Sequence, residues 1–306
     1  MENTRAKTTR NSLILLLTAT IWGMAFVSQS KGMDYMHPFT FNGVRSLIGA
    51  AGILVYILIS RKIAGDKATK LDWKLNVRAG LLCGIFLTIA STLQQFGIKY
   101  TSVGKAGFIT TLYIIFGIFL KKKVAPVVWA AAGMAAVGMY LLCMTESLRL
   151  GAGDIMVFLC AIAFAIQIMT VDHYAARIDG AVVSCIQFTV CGVVCCIGAL
   201  IWGQPTFGQI QEGLGALLYA GVLSCGVGYT LQIVGQKGLN PTVAALIMSL
   251  ESVIATISGW IAYKIGFLST DQTLTPRQIA GCVIVFAAVI LVQLPPEWFR
   301  FGKKNA

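Results

Sequence analysis

Thr92-Leu93-Gln94, followed by Gly97, Lys99, Ala106, Ile109 and Leu112, recurs in the same order as Thr230-Leu231-Gln232, Gly235, Lys237, Ala244, Ile247 and Leu250, at a constant offset of 138 residues. Each copy lies in a long apolar run. A chain that repeats itself on this scale is built from two related units, and paired units of membrane helices are the usual build of secondary transporters, with the binding site between them. Other stretches pair in the same way. Leu17, Ala19 and Trp22 line up with Leu159, Ala161 and Phe164, and Pro126 and Gly138 with Pro276 and Ala288.

Charged residues are 12% of the 306 and hydrophobic residues 57%, whereas soluble domains carry about a quarter charged residues. This much apolar surface needs lipid, and the runs are too long for barrel strands, so the fold class expected is an all-α polytopic membrane protein. The run from Ser12 has no small-residue cleavage site leading into a polar mature domain, and it reads as the first transmembrane helix rather than a signal peptide. Ten spans are expected, at 12–30, 41–60, 79–98, 104–120, 127–145, 153–171, 181–202, 213–235, 241–263 and 278–294. They form two five-helix units, 12–145 and 152–294. With an odd number of spans per unit, the second unit enters from the opposite face, which makes the two units inverted repeats.

Lysine and arginine concentrate in cytoplasmic loops. Of the 24 such residues, seven (Lys31, Arg45, Lys99, Lys105, Arg149, Lys264 and Arg277) fall at or near the outer face when the N-terminus is inside, leaving 17 on the cytoplasmic side. Both termini are therefore expected in the cytoplasm and the protein in the cell membrane. The net charge of +12 comes from residues flanking spans. That excludes a nucleic-acid reader and points to anionic lipid headgroups as partners. The nine cysteines all lie in apolar spans, without zinc-site spacing, and read as small apolar filler. His37 and His173 offer no metal pair, and no cofactor is implied.

Ile21-Trp22-Gly23-Met24-Ala25-Phe26, Gly107-Phe108-Ile109-Thr110-Thr111-Leu112-Tyr113, Leu250-Glu251 and Leu274-Thr275-Pro276-Arg277-Gln278 leading to Gly281 stand in order along the chain. In these pieces residues 12 to 294 resemble the EamA-type transporters of the drug/metabolite transporter superfamily. The resemblance implies a carrier with a central cavity lined mainly by helices 1, 3, 4, 6, 8 and 9. It also implies export of amino acids or other metabolites as the favoured activity. The chain departs from the family's pattern at helix 4. Tyr113 stands 13 residues before Pro126, whereas the equivalent Glu251 stands 25 before Pro276, and no proline follows Tyr113 in Ile114-Ile115-Phe116-Gly117. Helix 4 is thus expected to be short, and Ala262 to Asp271 to lengthen an outer loop.

A polar side chain in hydrocarbon is costly unless it faces a partner or water, so intramembrane polar residues mark solute pathways. Glu251, well inside helix 9, is the candidate proton-coupling group; its alternative role is to bond a neighbouring helix, and the resemblance favours that architectural role slightly. Gln94, Gln95, Gln167 and Gln232 carry amide donors and acceptors able to grip a polar solute without the cost of a buried charge. Interhelical bonding is the alternative for each. Gln187 ranks lower because helix 7 is expected at the periphery. Trp22, Tyr113 and Tyr229 are candidates for an aromatic wall, with packing as the alternative. Trp202, Trp260 and Trp298 read as interfacial anchors. The expected function is a secondary carrier of small organic solutes by alternating access, with protons as a candidate coupling ion. The rival readings are a membrane-embedded enzyme and a non-transporting membrane scaffold. Only twelve acidic residues are present, and the one short cluster, Asp172, His173, Arg177 and Asp179, has no metal-binding repeat.

Overall fold

The computed structural model describes residues 2–64, 71–101, 103–113, 126–143, 151–239, 241–269 and 271–293. The described chain is helical throughout, as a backbone in lipid must be if its amides are to pair within their own segment. In chain order the helices are α1 (Glu2–Gly32), α2 (Pro38–Ala64), α3 (Trp73–Ile98), α4 (Val103–Thr111), α5 (Pro126–Cys143) and α6 (Ala152–Tyr174). They continue as α7 (Gly180–Gly203), a short helix at Phe207–Glu212, α8 (Leu214–Gln236), α9 (Val243–Lys264) and α10 (Pro276–Gln293). Seven of them (α1, α2, α3, α6, α7, α8 and α9) are long and apolar enough to cross a membrane. Shorter apolar stretches lie in α5, at Trp129–Gly138, and in α10, at Pro276–Leu291. The expected short end of helix 4, at 114–120, lies outside the described residues, as do Lys121-Lys122-Lys123, Trp298 and the basic C-terminal tail.

Local chemistry sets several helix ends. Asp72 accepts from the Leu75 amide at 3.0 Å to start α3, and Asp179 accepts from the Ala181 and Val182 amides to start α7. At the far end of α9, Gly266 takes φ +75°, letting Phe267 and Leu268 return their amides to the Ala262 carbonyl at 2.8 and 3.2 Å. At the start of the expected loop extension, Phe267 and Leu268 are thus tied back to the end of α9, with Leu268 buried.

Each unit packs chiefly against the other. α2 lies along α7, α5 along α10, α3 along α6, and α1 against α8 and α9, as α6 lies against α3 and α4. Glycine permits the closest approaches. Gly97 of α3 meets Val157 of α6, and Gly235 of α8 meets Leu15 of α1. Since 97 and 235 are 138 apart and 15 and 157 are 142 apart, as Trp22 and Phe164 are, the two contacts occupy equivalent places in the repeat. Outward faces are apolar, with Leu54, Leu58, Val193, Leu223 and Phe286 exposed, as lipid contact requires.

Two irregularities were not legible beforehand. α8 widens to π geometry over Tyr219–Gly228. α9 is interrupted at Ser249, between helical segments Pro241–Met248 and Leu250–Lys264, and regular helix in α4 ends at Thr111, within one residue of the place that the 138-residue offset pairs with Met248.

Candidate functional site

Helices from both halves of the chain surround a narrow cavity that is partly open to the outside. Its polar lining comes from Gln29 of α1, Arg45 and Ser46 of α2, Ser91 and Gln94 of α3, Thr110 of α4, Tyr113 just beyond α4, Gln167 of α6, Ser224, Tyr229 and Gln232 of α8, and Glu251 of α9. Trp22, Phe26, Leu87, Phe164, Ile168 and Phe188 supply most of the apolar wall.

The aromatic side is closely assembled. The Trp22 and Tyr229 ring centroids are 4.6 Å apart, and Phe188 meets Tyr229 edge-on at 4.9 Å. Such pairs contribute about 0.5–1.5 kcal/mol beyond their burial. Trp22 also donates its indole Nε1 to the Ser224 carbonyl at 3.4 Å, inside the π segment of α8. The small residues Gly221 and Gly228 let that segment approach its neighbours. A Cβ on Gly228 would stand 2.6 Å from the Trp22 indole nitrogen, and one on Gly221 would stand 2.8 Å from the Arg45 carbonyl oxygen. The π turn therefore seats Trp22 and Tyr229 together, a use of π geometry common at functional sites.

On the polar side some groups are held and others left open. Gln94 donates Nε2 to the Thr110 hydroxyl at 3.2 Å, and Gln167 donates Nε2 to Oε1 of Gln187 at 3.3 Å. Gln232 is buried with neither amide atom hydrogen-bonded, and the Tyr113 hydroxyl, Gln167 Oε1, Gln29 Oε1 and Glu251 Oε1 are likewise unpartnered. Buried polar atoms without partners are costly, at about 1–3 kcal/mol each. Their convergence on one cavity marks a place where a polar solute would complete the bonding. Tyr113 and Glu251 are equivalents in the 138-residue repeat and neighbours in space, at the matching interruptions of α4 and α9.

Seven of the eight residues selected from the sequence thus line the cavity: Trp22, Gln94, Tyr113, Gln167, Tyr229, Gln232 and Glu251. Gln95 does not. It is fully buried and donates Nε2 to the Gln29 carbonyl at 3.1 Å, tying α3 to α1. Consecutive residues of a helix point about 100° apart, so Gln94 and Gln95 cannot share a face.

The model of the EamA-like transporter family matches residues 10–144 and again residues 151–294. The chain belongs to the EamA-like transporter family. It is accordingly a multi-pass membrane transporter. Among curated relatives of this EamA-family chain, an uncharacterized transporter of Archaeoglobus fulgidus is 27% identical over 92% of this chain and 84% of its own length. The uncharacterized transporter YwfM of Bacillus subtilis is 24% identical over 94% of each. A crystal structure of a protein 16% identical to this one aligns with TM-score 0.72 over 96% of this chain and 99% of the other, so the two share a fold.

Sequence reasoning missed Arg45 above all. It counted this residue with those at or near the outer face, whereas Arg45 is buried in α2 and lines the cavity of the transporter. Gln29, Ser46, Ser91 and Ser224 were missed as well. Their signal was their polarity within apolar runs, which a single serine or glutamine carries only weakly.

Proposed function

We propose that this EamA-family protein is a secondary carrier that moves small organic solutes, such as amino acids or other metabolites, across the cytoplasmic membrane by alternating access. The observation that carries the reading is that repeat-equivalent residues from both units, Gln94 with Gln232 and Tyr113 with Glu251, line one cavity containing unpartnered polar atoms. Rocking of one unit against the other would expose such a site to each side in turn. The reading takes the chain as ten spans in two inverted five-helix units, 12–145 and 152–294, with both termini cytoplasmic. The cross-unit packing of α1 with α8 and of α3 with α6 supports that arrangement.

In this reading Trp22, Tyr113 and Tyr229 hold the solute's apolar part, and Gln94, Gln167 and Gln232 hold its polar groups. Gln95 supports the site from behind through its bond to α1. Glu251, buried and with Oε1 free, is the group suited to exchange a proton for solute, and a proton gradient would then drive export.

Proteoliposomes loaded with a labelled mixture of amino acids and metabolites, assayed with and without a pH gradient, test this directly. Gradient-driven flux that disappears in Glu251→Gln is expected. Flux that persists unchanged in the variant would leave Glu251 a structural role, and no flux of any solute by the folded wild type would overturn the carrier reading.

A further inference from the structure

Arg45 is a charged side chain with only 5% of its surface exposed, on the wall of the cavity. Its Nε has no hydrogen-bond partner, and its guanidinium lies 5.3 Å from the Phe41 ring centroid. The two ion pairs among the described residues, Lys31 with Asp34 and Lys105 with Asp154, lie elsewhere. Glu251 shares the cavity, and the charges of both Arg45 and Glu251 are felt at the Tyr229 hydroxyl, yet the two do not form an ion pair. A guanidinium buried without a counter-charge is among the most costly arrangements a membrane interior can hold, and arginines so placed mark solute paths.

The repeat sharpens the point. α2 begins at Pro38 and α7 at Gly180, 142 residues apart, the offset that also relates Trp22 to Phe164. It places Gln187 opposite Arg45. Gln187 is buried and satisfied in part by Gln167, so one unit holds a cation where the other holds a neutral amide. Ser46, Ser91 and Ser224 also line the cavity, and the Ser46 and Ser91 hydroxyls already meet Cys191 Sγ at 3.5 and 3.4 Å. A guanidinium is the group that recognises a carboxylate, through charge-assisted and often bidentate hydrogen bonds.

We propose that Arg45 binds the negatively charged group of the solute, so that the cavity selects small molecules bearing a carboxylate over their neutral counterparts. This rests on the carrier reading and names the class of solute. Purified protein in lipid nanodiscs is titrated with three isosteric pairs: 4-methylpentanoate and 4-methylpentanamide, phenylacetate and phenylacetamide, L-leucine and L-leucinamide. Binding is followed by the shift in melting temperature.

At least one carboxylate is expected to bind about tenfold or more tightly than its amide, and Arg45→Gln to remove that preference. Arg45→Lys keeps the charge but not the planar fork and is expected to retain part of it. Without ligand, Arg45→Gln is expected to melt at or above wild type, because it removes an unpaired buried charge. The proposal falls if no carboxylate is preferred or bound by wild type, if Arg45→Gln keeps the preference, or if unliganded Arg45→Gln melts well below wild type, which would make Arg45 a packing residue. Transport of a neutral solute with no carboxylate preference would sink this proposal and leave the carrier reading standing. Carboxylate binding through Arg45 with no flux would do the reverse.

Discussion

The α3–α6 contact at Gly97 can be perturbed by one methyl group. A Cβ placed on Gly97 would overlap Val157 Cγ2 and stand 2.8 Å from the Gly153 carbonyl oxygen and 3.3 Å from the Val157 amide nitrogen. Val157 is β-branched and has few rotamers to retreat into, and the other two neighbours are backbone, so α3 and α6 must separate. Overpacking of this kind costs about 1–3 kcal/mol, and the helix propensity of alanine over glycine returns up to about 1 kcal/mol. Gly97→Ala is therefore expected to lose about 1–2 kcal/mol. The equivalent Gly235→Ala meets only side chains, Leu15 Cδ2 at 2.7 Å, Leu15 Cγ at 2.8 Å and Ile14 Cγ2 at 3.2 Å. These nearest atoms are side chain rather than backbone, so the same methyl there is expected to cost less than at Gly97. Thermal unfolding read by a thiol-reactive dye suits the comparison, because Cys83, Cys160 and Cys225 are buried and become reactive only on unfolding. Separation of α3 from α6 would also disturb the Gln94–Thr110 bond one turn away, so solute binding should fall with stability. Gly97→Ala melting at or above wild type, or Gly235→Ala losing as much as Gly97→Ala, would refute the packing argument.

Three other perturbations follow from the same structure. Asp154, buried at the start of α6, accepts from Lys105 at 2.7 Å, Thr101 at 2.7 Å and the Gly151 amide at 2.9 Å. Asp154→Asn weakens the ion pair with Lys105 and should cost about 1–3 kcal/mol in melting experiments, a loss that Lys105→Met in the same chain should reduce. Gln232→Ala removes an amide with no internal bond, so the protein should melt no lower than wild type while solute affinity drops; Gln94→Ala, which breaks the bond to Thr110, should lower both. His37, between α1 and α2, has its imidazole held below its ordinary value by burial and by the charge of nearby Lys99. The unfolded chain then binds more protons than the folded one near pH 6.5. Stability should be present above that pH and be lost as pH falls through the imidazole range, and a His37→Gln variant should show a flatter melting profile between pH 8 and pH 5.

How far the site could be read in advance depends on what the repeat touches. Gln94 and Gln232 were found because one copy points to the other, and Tyr113 stood out as an aromatic residue inside its span. Gln95 and Arg45 have no such guide. In a soluble helix the polar face would show which way each residue turns, but these helices are apolar on nearly every side, so periodicity does not separate the lipid face from the cavity face. The charge-bias rule counts arginines by loop and cannot see one that has been drawn into the bundle.

The sequence by itself determined the helical class and revealed the internal repeat. Apolar runs of bilayer length can satisfy their backbone only as helices, and the constant 138-residue offset relates one unit to the other. Only the tertiary structure decided which residues meet. The approach of α3 to α6 at Gly97, the π turn that brings Trp22 to Tyr229, the paired interruptions of α4 and α9, and the burial of Arg45 against the cavity all depend on contacts between residues far apart in the chain. Helix-forming tendency is local and written residue by residue. Rotation and separation of helices are set by how side chains from two units fit together, and no single stretch of sequence contains both sides of that fit.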